Sequence, residues 1–84
     1  TLDEKINFAQ DLIYERGECK IAIELLKILS QKYKNSPKVQ GLLVMAYEKN
    51  RQYEKAISLL QEWIKKHPND KTAKTMLSNM KSRK

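Results

Sequence analysis

Two side chains in this sequence carry the usual tools of nucleophilic or metal chemistry, Cys19 and His67, and each occurs once in 84 residues. A thiol near a helix start reacts when its pKa is depressed, and an imidazole serves as general base or metal ligand when a second group orients it. Neither partner is in sight. Cys19 and His67 fall on separate segments, too few ligands for a metal site, and His67 sits in a turn beside Pro68, where its ordinary role is that of a helix-terminal or solvated side chain. The carboxylates Asp3 and Glu4 are sequence neighbours on a first helical turn, a place for capping and solvation rather than paired acid-base work. No HExxH, CxxC or glycine-rich phosphate loop is present. The inventory excludes the familiar enzyme classes, and no cofactor is implied.

Charge is the second chemistry on offer. The chain has a formal net charge of +7, and the excess is uneven. Residues 51–84 hold nine Lys or Arg against three acids, whereas residues 1–50 hold eight against seven. Lys65, Lys66, Lys71, Lys74, Lys81, Arg83 and Lys84 make a basic patch able to meet phosphates, an acidic protein or a membrane surface. Lysine dominates it and no aromatics are interleaved, so nucleic acid is disfavoured as a specific ligand.

The elements that position these groups are helices. Two glycines and two prolines interrupt a chain rich in Leu, Lys, Glu, Gln and Ala. Apolar stripes at three- and four-residue spacing predict five helices. The first runs through Leu2, Ile6, Ala9 and Ile13 and ends near Gly17; the second holds Ile21, Ala22, Leu25, Leu26, Ile28, Leu29 and Tyr33. Ser36 and Pro37 start the third, with Val39, Leu42, Leu43, Ala46 and Tyr47. Ala56, Ile57, Leu60, Trp63 and Ile64 form the fourth, and Asn69 or Asp70 caps a weaker fifth with Ala73, Met76, Leu77 and Met80. Short polar breaks imply antiparallel neighbours, hence one all-α domain over residues 1–84. No apolar run reaches the roughly 20 residues of a membrane span. The single cysteine points to a reducing, intracellular (cytoplasmic) setting; the start at Thr1, with Asp3 and Glu4 close behind, does not read as a signal peptide, and the chain looks like a piece of a longer protein.

The helices repeat. Ala22 and Ala56 lie 34 residues apart (56 minus 22), Leu26 and Leu60 share the offset, and Ile13 falls opposite Tyr47. In the second unit Leu43, Tyr47, Ala56 and Pro68 stand where the tetratricopeptide signature has Leu, Tyr, Ala and Pro, with Leu60 for its Phe, so the chain resembles the tetratricopeptide repeat family. Departures are Gln40 for Trp, Val44 for the small residue and Arg51 for the turn Gly; Pro37 also comes about three residues late, implying a longer second helix or loop in repeat one.

The resemblance implies antiparallel pairs stacked as a short right-handed α-solenoid: repeat one about residues 3–36, repeat two about 37–70 and a capping helix about 71–82. It implies a non-enzymatic protein-protein interaction module that holds a peptide or helical segment of a partner protein. The first helix of each pair lines the concave side, which nominates Asn7, Phe8, Asp11, Lys38, Leu42, Met45, Lys74 and Leu77 as groove residues. Gly41, Leu42 and Met45 occupy the middle repeat's places for the Lys and Asn that clamp a C-terminal carboxylate in some members, so no such clamp is expected. Leu42 and Met45, three apart, are expected on one exposed face away from the Leu43, Ala46 and Tyr47 stripe. A homodimer, or continuation into a longer array, is the other arrangement the repeat pattern suggests.

Overall fold

The structure is a computed structural model that describes residues 1–82. Helix α1 (Leu2–Tyr14) begins on a capping box. The Thr1 hydroxyl accepts from the Glu4 amide at 3.3 Å, and the Glu4 carboxylate accepts from the chain's terminal ammonium at 3.0 Å. The ammonium, and after it the Thr1 hydroxyl donating to Glu4 Oε1 at 3.0 Å, hold the Glu4 carboxyl below its ordinary pKa. α2 (Cys19–Lys32), α3 (Pro37–Lys49), α4 (Tyr53–Lys66) and α5 (Lys71–Ser82) follow, separated by loops of three or four residues. Such short links force each helix to double back on the last.

The 34-residue period governs the joints as well as the helices. Gly17 in the α1–α2 turn has φ +65°, and Arg51, its counterpart in the α3–α4 turn (51 minus 17), has φ +61°. The following amide reaches back in each case, Glu18 to the Leu12 carbonyl at 2.7 Å and Gln52 to the Tyr47 carbonyl at 2.8 Å. The left-handed residue therefore survives the loss of glycine at Arg51, at the steric cost of that conformation for a residue with a Cβ, although the amide after it reaches back five residues here and six at Glu18. The α2–α3 and α4–α5 joints correspond in the same way. The Ser36 hydroxyl caps α3 through the Val39 amide (3.4 Å), and the Asp70 carboxylate caps α5 through the Ala73 amide (3.0 Å).

The late proline of repeat one does not lengthen anything: α2 and α4 both have 14 residues, and both joints, 33–36 and 67–70, have four. Pro37 is the first residue of α3, where its missing amide hydrogen has no intrahelical role, rather than a loop residue like Pro68.

One core runs the length of the molecule, with Ala22 and Ala56 fully buried where Leu26 and Leu60 fill the space beside them. α3 lies centrally, packed against α1, α2 and α4, and α5 closes the far side of α4. Among the described residues no polar side chain is buried without a partner. Trp63 shows how: its body is buried while its indole Nε1–H donates to Asp70 Oδ2 at 2.8 Å, and the His67 ring stacks on it with centroids 3.8 Å apart. Two residues of the predicted α2 stripe stand outside the core. Ile21 is 54% and Ile28 66% exposed, because the buried face of α2 centres on Ala22, Leu26 and Leu29.

Candidate partner-binding groove

α1 and α3 are the first helices of their pairs, and the space between them opens as a cleft of about 580 Å³. Ile6, Leu42 and Met45 give it an apolar floor, while Asp3, Asn7, Gln10 and Lys38 bring polar groups to its lining. On α1 the residues Asp3, Asn7, Gln10 and Tyr14 follow at spacings of four, three and four, which sets them along one side of the helix. Tyr14 extends the wall: its hydroxyl donates to Met45 Sδ at 3.2 Å, and Lys49 Nζ lies 5.3 Å from the ring centroid. A second cleft, about 200 Å³, lies between α3 and α5 and takes Gln40, Gly41 and Val44 from one wall and Thr72, Ala73 and Met76 from the other. Pro37 and Gly41 border both.

Gly41 occupies the middle of α3, where glycine weakens a helix by about 0.5–1 kcal/mol relative to alanine. No packing demands it, since a Cβ built there would meet nothing within 4 Å. Its effect is to lower the ridge between the two clefts.

The nominated groove residues divide under this geometry. Asn7, Lys38, Leu42 and Met45 line the first cleft. Leu42, expected on an exposed face, is only 6% exposed and belongs to the core; it shows the cleft one edge because α3 is central and wrapped on three sides. Asp11 lies outside the cleft lining, and its carboxylate accepts from Arg16 Nε at 3.0 Å. Phe8 is 51% exposed but lines neither cleft. Lys74 and Leu77 are likewise absent from the α5 wall. The 34-residue register accounts for their position: Lys74 corresponds to Gln40, whose Nε2 donates to the Leu59 carbonyl of α4 at 3.3 Å, and Leu77 corresponds to the buried Leu43. The counterpart of Leu42 on α5 is Met76. Asp3 and Gln10 line the first cleft and Thr72 and Met76 the second, with Tyr14 beside the first through Met45; none of these is nominated by the sequence, though the α1 stripe is readable as a polar helical face.

The basic patch is solvated. Lys65, Lys66, Lys71, Lys74 and Lys81 are exposed, while Arg83 and Lys84 fall outside the described residues. Lys65, Lys66 and Lys81 occupy last turns of their helices, favourable to the helix dipole. Among the described residues no group of three or more His, Cys, Asp or Glu is placed to hold a metal ion. His67 closes α4, its amide donating to the Trp63 carbonyl at 2.8 Å, and Cys19 is the half-buried first residue of α2. No helix is long and apolar enough to cross a membrane, among the residues described.

Comparison with known families matches the tetratricopeptide repeat over residues 14–80. The chain belongs to the tetratricopeptide repeat family. Proteins built from tetratricopeptide repeats are typically non-catalytic interaction modules, and the two clefts lie on the side where such repeats present their first helices. No curated protein and no solved structure matches this chain. The tetratricopeptide match takes in α2 to α5 and only the last residue of α1, in keeping with the stronger signature of repeat two.

Proposed function

We propose that this tetratricopeptide module binds a segment of a partner protein along the face formed by α1, α3 and α5, with an apolar side chain of the ligand seated on Ile6, Leu42 and Met45. The observation that carries this reading is the composition of the larger cleft: an apolar floor containing a thioether, which adapts to differently shaped side chains, and a lining of amide and charged groups able to orient a main chain. The low saddle at Gly41 lets a ligand pass from one cleft to the other with its backbone close to α3. Proposed groove residues are thus Asn7, Lys38, Leu42 and Met45, joined by Gln10, Tyr14 and Met76.

A peptide library displayed on phage and selected on the 84-residue chain supplies ligands for the test. Met45→Glu is expected to weaken the selected peptides by about tenfold or more, the effect of placing a charge beneath an apolar anchor, with thermal melting little changed because Met45 is only half-buried. Gly41→Ala is expected to raise the melting temperature and weaken the same peptides. Selected peptides that bind both variants as well as the parent protein would move the site away from this face. A second reading, contact of the lysine-rich end with an acidic surface, rests on the exposure of Lys65, Lys66, Lys71, Lys74 and Lys81; its mark is binding that weakens steeply with salt.

A further inference from the structure

Along α2 the residues Ile21, Leu25 and Ile28 succeed one another at spacings of four and three, forming a stripe beside the buried face. Ile21 and Ile28 are more than half exposed and Leu25 is half-buried. The repeat itself shows where this stripe points. Its counterparts on α4 are Lys55, Leu59 and Glu62, and these border clefts whose other walls are Lys20, Ile23, Lys27, Ser30 and Gln31 of α2. That position on a second helix therefore faces the preceding repeat, and on α2 it faces away from the rest of the molecule. Phe8 obeys the same logic. Its counterpart Leu42 is turned toward α1, across the cleft from Ile6 and Asn7, so Phe8 is turned away from α3 to the same open end.

We infer that this end of the molecule, Phe8 with Ile21, Leu25 and Ile28, docks a second copy of the chain, end to end about a two-fold axis, setting the apolar stripe of α2 against the same stripe of its partner. Three observations select this occupant. The patch is apolar, and a two-fold axis sets an apolar patch against its own copy, as an isologous interface does. Its rim carries both signs: Glu4, Lys5 and Asp11 lie within a turn or so of Phe8, and Lys32 one turn beyond Ile28. Residues 1–32 hold five Lys or Arg and six Asp or Glu, a side-chain sum of −1, against +6 for residues 51–84. Two copies therefore meet here without the repulsion that would separate their basic ends. A head-to-tail stack fails on the second surface, because the side of α5 opposite Ala73 and Met80 offers Lys71, Thr75, Ser78 and Ser82 and no apolar residue.

The size of the face sets the strength. A 14-residue helix is about 21 Å long and a helix pair about 20 Å wide, a footprint of roughly 400 Å² per copy, about half of what a stable specific interface buries per partner. The association is therefore weak, with a Kd of tens of micromolar or higher.

Sedimentation velocity of the 84-residue chain from about 5 µM to about 500 µM brackets that range. The expected result is a sedimentation coefficient that climbs from monomer toward dimer and persists at high salt. Ile21→Lys with Ile28→Glu, the residues that repeat two carries at these positions, is expected to keep the chain monomeric throughout while its melting in dilute solution stays unchanged. Met45→Glu in the groove is expected to leave the dimer intact. A parent chain that stays monomeric at every concentration would overturn the inference and leave the face to another occupant. Dimerisation undiminished in the double variant, or abolished by Met45→Glu alone, would overturn it by placing the contact elsewhere.

Discussion

The same three positions on a second helix carry Ile21, Leu25 and Ile28 in repeat one and Lys55, Leu59 and Glu62 in repeat two, and the same position on a first helix carries Phe8 and then Leu42. In repeat two the charged pair faces a cleft against α2, while Leu42 is buried on repeat one. In repeat one the apolar residues face outward. Two units with one backbone plan thus divide their work: the second spends apolar surface inward on its neighbour, and the first presents apolar surface at the end of the stack. Register equivalence fixes where a side chain points, and the neighbour decides what that direction is worth.

The sharpest break of this comparison is a matched pair of truncations. Leu42→Ala is expected to cost about 2–4 kcal/mol, since it removes a core side chain and leaves a void next to α1. Phe8→Ala at the corresponding place, where the ring is 51% exposed, is expected to cost much less in dilute solution, about 1 kcal/mol or below. Urea melts of both variants measure the difference, and equal losses would show that Phe8 is covered within the monomer. By the same reasoning, and on the proposed groove, Met45→Glu is expected to cost peptide binding with little loss of stability, and Leu42→Ala to cost stability first.

The turns come next in size. Arg51 holds a left-handed backbone that Gly17 holds freely, and such a conformation costs a side-chain-bearing residue about 1–2 kcal/mol. Arg51→Gly is therefore expected to stabilise the chain by about 1 kcal/mol, less the greater freedom glycine confers on the unfolded state. Gly17→Ala should destabilise it by a similar amount even though a Cβ there would touch nothing. Thermal denaturation of the two variants tests whether the shared left-handed backbone carries the same energetic weight in both turns.

The smallest effect concerns the caps. Ser36 and Asp70 do the same task, but only one ionises. The Asp70 carboxyl is held below its ordinary pKa first by the Ala73 amide and then by the Trp63 indole. A depressed folded-state pKa stabilises above the unfolded value and loses that contribution as pH falls through the folded one. Asp70→Ala is accordingly expected to melt below the parent chain at neutral pH, with the gap closing in the acid range below the usual aspartate pKa of about 4. Ser36→Ala should show a gap that does not depend on that titration. A pH-independent gap for both would mean the charge on Asp70 adds nothing to the cap.

Most of the fold was legible in the sequence because short-range rules decide it. Ser36-Pro37 starts a helix wherever it occurs in this context, and stripes such as Leu42, Leu43, Ala46 and Tyr47 choose the helix over the strand. The 34-residue offset then fixes pairing and turns. Less of the site was legible. Periodicity marks Ile21 and Ile28 as apolar without saying what covers them, and it marks Leu42 and Met45 as neighbours on α3 without saying that α1 closes over the first. On α5, whose stripe is narrow, the sequence does not say that Thr72 and Met76 rather than Lys74 and Leu77 line the cleft beside α3, because that depends on a rotation of the helix that only its seat in the fold defines.

The joint between repeat two and the last helix contains the chain's single tryptophan. Because the Trp63 indole reaches forward to Asp70 while His67 stacks on its face, the emission of that ring is expected to respond to the seating of α5 as well as to the unfolding of the core it belongs to. Peeling α5 away would expose the ring and leave α1 to α3 unmoved, so a fluorescence transition that precedes the loss of helical dichroism would isolate the fraying of one end. The molecule thus holds its own optical gauge at its polar end, fifty-five residues in sequence from Phe8 at the apolar one (63 minus 8), and the two ends can be followed separately without adding a label.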